Sequence, residues 1–271
     1  MKSKSLSIPF LIWAVIFIII PMIFIIAFAF TDDNFNFTFD NFNHLNRYLP
    51  VFLRSLKLSI ISTVICLALG YPVGYIISKM SPKVQNVFVL LTMLPMWMNF
   101  LLRTYSWIKI LNTESGVLNT ILSALNLPTI DIMDTQFAIV LGMIYNFLPF
   151  MILPIYSVLT KMDEKVIEAA KDLGANNVQV FFKVVLPLSV PGIITGLTMV
   201  FVPAISTFII SKLLGGGGAN MLIGDLIDMQ FLGNAYNPHL GSAISLILMV
   251  FILISMGVMR KFDSDEAGGI M

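Results

Sequence analysis

Six stretches of the chain are each long and apolar enough to cross a lipid bilayer, and that property limits what it can become. A spanning helix needs about 20 largely apolar residues, because hydrocarbon offers no water and every backbone polar group must be satisfied within the helix. The stretches run 8–30, 56–77, 87–111, 137–159, 188–213 and 240–259. The first follows Lys2 and Lys4 and contains Ala27-Phe-Ala29, as a signal peptide would. It is longer than a secretory apolar core of about 7–15 residues, so an uncleaved span is expected.

Composition supports the same class. Of 271 residues 58% are hydrophobic and 11% charged, against about a quarter charged in soluble domains. Such a chain cannot clothe itself in polar surface. The net charge of +1 gives no bulk attraction for nucleic acid. Cys66 has no partner for an internal disulfide. His44 and His239 have no cysteine or carboxylate at ligand spacing, so no metal site is expected.

The basic residues of the connections set the orientation. Lys2, Lys4, Lys79, Lys83, Lys161, Lys165, Lys171, Lys183, Arg260 and Lys261 share one side, and Arg47, Arg54, Lys57 and Lys212 the other. Both termini are therefore expected in the cytoplasm.

Within the spans, Pro72, Pro95, Pro149, Pro154 and Pro203 bend helices, either as static kinks or as bends that rock about a pathway. Gly70-x-x-x-Gly74 and Gly192-x-x-x-Gly196 suit close helix packing inside the subunit. Arg103 lies inside an apolar span, where a charge costs about 2.5–3.5 kcal/mol on insertion scales. It either faces a partner or wet cavity, or snorkels to the outer interface beside Trp107. Asp225 and Asp228, three apart, share one side of a short helix. They either form an acidic vestibule for a cationic solute or lie on a solvated or partner-facing turn.

The connection 161–187 carries the sharpest signal. Asp163 can cap a helix over 164–173, Gly174 suits its left-handed exit, and Asn176 or Asn177 can start a second helix that Pro187 ends. Val166, Ala169, Ala170 and Leu173 follow i, i+3, i+4, i+7 and form a thin apolar stripe. Such a helix fits a groove on another protein or lies on the membrane. Glu168-Ala169-Ala170-x3-Gly174-x9-Val184-x-Leu186-Pro187 resembles the loop E-A-A-x3-G-x9-I-x-L-P of ABC-importer permeases, departing only in Val184 for isoleucine. Residues 69–75, 94–105, 148–156, 168–175 and 222–224 resemble the spermidine/putrescine branch of that family.

The resemblance implies an all-α polytopic membrane protein with six transmembrane helices and a MetI-like permease fold. Residues 1–271 would form a single transmembrane domain, with a cytoplasmic coupling loop within 161–187. It implies a permease subunit, not an enzyme, that makes half of a polyamine pathway; an importer of another small solute such as an anion is the alternative. Glu168, Ala169, Ala170, Gly174, Leu186 and Pro187 would couple to the ATPase. Trp97, Arg103, Tyr105, Tyr145, Asp225 and Asp228 are candidates for the substrate pathway, aromatic rings being able to hold ammonium groups by cation–π contact. No G-x-x-x-x-G-K-[ST] is present, so ATP and Mg are expected on partner subunits and no cofactor on this chain. The implied partners are a second homologous permease, a cytosolic ABC ATPase dimer, an extracytoplasmic polyamine-binding protein and the bilayer of a bacterial plasma membrane; no nucleic acid is implied.

Overall fold

A computed structural model describes residues 8–43, 45–233 and 235–267; Lys2, Lys4 and His44 lie outside them. The described chain is helical, with an isolated bridge between Thr31 and Phe37. The main helices are α1 (Pro9–Ala29), α2 (Leu49–Ser78), α3 (Pro82–Trp97), α4 (Phe100–Leu111), α5 (Val117–Ala124) and α6 (Gln136–Thr160). They continue as α7 (Glu164–Asp172), α8 (Asn177–Ser206), α9 (Ile209–Leu214), α10 (Ile223–Phe231) and α11 (Pro238–Ala267). Among the described residues five helices are long and apolar enough to span, and α3 with α4 makes a sixth only as a bent pair.

That pair replaces the continuous third span expected over 87–111. The two pieces meet at 91°. Proline alone does not explain it, because Pro72, Pro149, Pro154 and Pro203 sit inside unbroken helices. Asn99 makes the difference: its side chain accepts from the amides of Leu101 and Leu102 at 2.9 and 3.3 Å, capping a new helix just after the old one ends at Trp97.

The fifth span is also displaced. It begins at Asn177 and ends at Ser206, and Ile209–Leu214 is a separate short helix. Pro187 does not end a helix as expected. A π-turn over Phe181–Val185 precedes it, and the Leu186 amide reaches back to the Phe181 carbonyl. The wider turn accommodates the proline ring and its missing donor, so the helix runs through.

α6 is the central post, with α2 and α8 against it. The core between them includes Cys66 and Tyr71 of α2, Met143, Met151 and Ile155 of α6, and Val200 and Ala204 of α8. The two glycine pairs create these contacts. A Cβ on Gly70 would lie 2.9 Å from Met151 Cγ, and one on Gly74 3.3 Å from Ile155 Cγ2. From the other side, a Cβ on Gly192 would lie 3.0 Å from the Pro154 carbonyl oxygen, and one on Gly196 2.7 Å from Met151 Sδ. Both motifs thus serve packing within the subunit.

A smaller cluster of Ile205, Ile223, Leu226, Ile244 and Leu248 docks α10 between α8 and α11. His239, at the start of α11, places Nδ1 3.1 Å from the Phe28 carbonyl oxygen and ties that end to α1. α1 packs along α11 and leaves most of its side chains exposed.

Gly192→Val should therefore lower the stability of the detergent-purified protein by about 1–3 kcal/mol through overpacking. Gly257→Val, where a Cβ would meet nothing within 4 Å, should stay within about 0.5 kcal/mol. Thermal unfolding of the two variants beside the parent checks the contrast.

Candidate functional site

Three places hold the candidate residues, and α2, roughly 45 Å long by its 30 residues, sets them apart. Near its start, the Ser55 hydroxyl oxygen accepts from the Ile223 amide of α10 at 2.7 Å. At its far end, Gln85 donates to the Ser78 carbonyl and accepts from Tyr156 of α6, four residues before α6 gives way to 161–187. The acidic pair and the 161–187 segment therefore lie at opposite ends of the bundle. The cavity at Arg103 lies between them.

The 161–187 segment is built from local bonds. The Asp163 carboxylate accepts from the Lys165 amide at 3.0 Å and starts α7. At the exit, the Gly174 amide donates to the Lys171 carbonyl at 2.8 Å and the Ala175 amide to the Ala170 carbonyl at 3.1 Å. This is a Schellman turn, and it needs the left-handed φ of +85° that Gly174 adopts. Asn176 and Gln179 then cap α8 reciprocally, each bond 2.9 Å.

α7 has two apolar faces where one stripe was expected. Ile167 and Ala170, with Met162 and Ala175, rest on the bundle core. Val166, Ala169 and Leu173 lie on the adjoining arc and are exposed, Leu173 to 89%. Glu168 is exposed beside them. Beyond the turn, Phe181 sets ring edges against Tyr71 and Tyr75 of α2, at 5.9 and 5.6 Å between centroids. Leu186 is half-buried and Pro187 exposed.

The cavity is about 430 Å³ and is lined by Phe100, Arg103, Asn146, Phe147, Phe150 and Pro203, among others. Arg103 is 6% exposed. Its Nη1 donates to the Pro95 carbonyl at 2.6 Å, across the corner between α3 and α4. That carbonyl belongs to the last turn of α3, where the helix dipole favours a cation. The guanidinium also sits 5.7 Å from the ring centroids of both Phe100 and Tyr145. Tyr145 in turn packs edge-on against Trp107 at 5.2 Å. Arg103 thus lines a cavity. Trp97 and Tyr105 stay apart from it, exposed on other faces of the bent pair. Asn146, halfway along α6 and 1% exposed, escaped the sequence reading, although a lone amide inside an apolar span was a usable signal.

At the other end, Asp225 and Asp228 are engaged. Asp225 accepts from the Leu222 amide at 2.8 Å in the first turn of α10, and Asp228 pairs with Lys212 at 3.2 Å. Burial raises the Asp225 pKa from its ordinary value, opposed by Ser211, the Leu222 amide and Lys212. Neither carboxylate stands open as a vestibule charge.

The chain is thus a multi-pass helical bundle with a capped surface helix between its fourth and fifth spans and a cavity midway along α6, an architecture that suits a membrane permease. The chain belongs to the family of binding-protein-dependent transport system inner membrane components, whose model matches residues 68–266. It is a permease subunit of an ABC importer and not an enzyme. It is 42% identical, over 76% of its length and 72% of the relative's, to the spermidine/putrescine transport system permease protein PotB of Haemophilus influenzae. Identity to PotB of Escherichia coli is 40%, covering 75% of this chain and 74% of that one. The fold superimposes on a bacterial ABC transporter involved in import of the acidic polysaccharide alginate, with TM-score 0.79, 19% identity, and 95% and 94% of the two chains covered. Membership implies an ATPase and a solute-binding protein as partners.

Because the Asp225 pKa is raised on folding, the folded state holds its proton more tightly, and stability falls as pH rises from about 4 through the folded value. Asp225→Asn keeps the acceptor for the Leu222 amide and removes the buried charge. It should raise the melting temperature at pH 7–8, with the gain vanishing as pH falls below about 4. Melting curves against pH check this.

Proposed function

We propose that this chain forms one half of the translocation pathway of a polyamine importer in a bacterial plasma membrane, with both termini cytoplasmic. The observation that carries the substrate is the 40–42% identity to two spermidine/putrescine permeases over three quarters of the chain. Residues 1–271 act as one transmembrane domain. The partners are a second, homologous permease, an ABC ATPase dimer that holds ATP and Mg, and an extracytoplasmic polyamine-binding protein.

In this reading α7 is the coupling helix. Its outward arc of Val166, Ala169 and Leu173, with Glu168 beside it, enters a cleft of the ATPase. Alanine keeps the contact close, and Leu173 supplies apolar area. Ala170 and Ile167 hold the helix to the bundle, Gly174 gives the turn, and Leu186 with Pro187, inside α8, pass displacement along that helix. Closing of the ATPase dimer then shifts a two-state equilibrium between pathways open to either side. Arg103 and Tyr145 border the solute path; Trp97 and Tyr105 face the second permease. Asp225 and Asp228 act by holding α10 at the outer mouth. One observation favours an anionic solute instead: Arg103 is a buried cation on the cavity wall.

Vesicles containing the whole importer should take up labelled spermidine or putrescine in an ATP-dependent way that sulfate does not compete with. Uptake of an anion in their place overturns the polyamine assignment. Gly174→Val forces a β-branched residue to φ +85°, a strain of about 1–3 kcal/mol. It should cut uptake at least tenfold and abolish substrate-stimulated ATP hydrolysis while the membrane bundle stays folded.

A further inference from the structure

We propose that Arg103 is a tethered occupant of a cation-binding box and leaves it when an organic ammonium group takes its place. The inference rests on the polyamine reading above and concerns how that solute passes the cavity.

The box consists of the rings of Phe100 and Tyr145 and the carbonyl oxygen of Pro95, all around one guanidinium. Two aromatic faces and one helix-end carbonyl are what an alkylammonium group requires, and they bind without the grip of a carboxylate. Among the described residues no carboxylate lies within ion-pair distance of Arg103. Its Nε has no acceptor, and Asn146 Oδ1, on the same cavity wall, has no donor. A buried cation with an unsatisfied N–H and a buried oxygen with an unsatisfied lone pair, both lining one cavity, make an incomplete arrangement. A diamine would satisfy the oxygen, with one ammonium in the ring box and a second donating to Asn146 Oδ1, and would release Arg103 Nε to find an acceptor outside the box. Arg103 would then turn into the cavity, which is within the size range of small-ligand sites. While it stays in the box, its fixed charge repels small inorganic cations, as a lone arginine does in other membrane pores. This resolves the conflict between an arginine and a polycationic solute: the two alternate at one place.

The test uses the complex of this chain, its second permease and the ATPase, purified without the binding protein. Phenylglyoxal labelling of Arg103, read by mass spectrometry, should be low in the unliganded complex and rise several-fold with spermidine. Arg103→Ala should bind labelled spermidine roughly tenfold more tightly, as expected if the box is free only about a tenth of the time. Millimolar guanidinium should compete with spermidine more strongly on Arg103→Ala than on the parent. Spermidine that binds yet leaves Arg103 labelling unchanged or lower overturns the proposal, as does weaker binding by an assembled Arg103→Ala complex. If that variant does not assemble, the labelling of the parent decides alone. A parent that neither binds nor transports spermidine, yet takes up another solute, defeats the polyamine reading itself, a result distinct from binding without displacement.

Discussion

Two pairs of glycines bring α2 and α8 onto α6, and the remaining elements take their positions from that contact. Lipid tails are as apolar as the side chains, so no hydrophobic effect drives the helices together. Dispersion between close backbones must do it. Met151 sits at the centre, reached by Gly70 from one side and Gly196 from the other. With α6 gripped on both sides, its end at Thr160 fixes where 161–187 starts, and its midpoint fixes where Asn146 and Tyr145 meet the corner between α3 and α4.

That corner shows where hydropathy stops being informative. Residues 87–111 read as one span because apolarity averaged over a window does not register direction. Pro95 gave no discrimination, since other prolines lie in unbroken helices. The deciding group is Asn99, an ordinary polar residue whose effect depends on its placement four residues later. The long spans were legible because a continuous apolar run of that length has few other fates. Pro187 misled for the opposite reason: a helix-ending rule met a π-turn, a backbone arrangement that has no residue signature.

At the sites, local chemistry was readable and tertiary assignment was not. The Asp163 cap, the Gly174 turn and the Asn176 cap follow from residue types at neighbouring positions. The division of α7 into an inward and an outward arc depends on where the bundle lies, so Ala170 and Leu173 looked alike in sequence and differ in the structure. Asp225 and Asp228 looked like a matched acidic pair. One secures a helix start and the other pairs with Lys212, partners 3 and 16 residues away. Arg103 was recognisable as anomalous from its surroundings alone, whereas its partners, a carbonyl and two rings, could be found only in three dimensions.

The π-turn at Phe181–Val185 also sets an angle. A turn that takes in one extra residue rotates everything upstream of it by about 100° relative to an uninterrupted α-helix. Shortening this stretch by a single residue would keep each side chain of α7 intact and swing its outward arc about a quarter-turn away. The direction in which the chain presents Leu173 and Ala169 is thus written in the phase of the following helix.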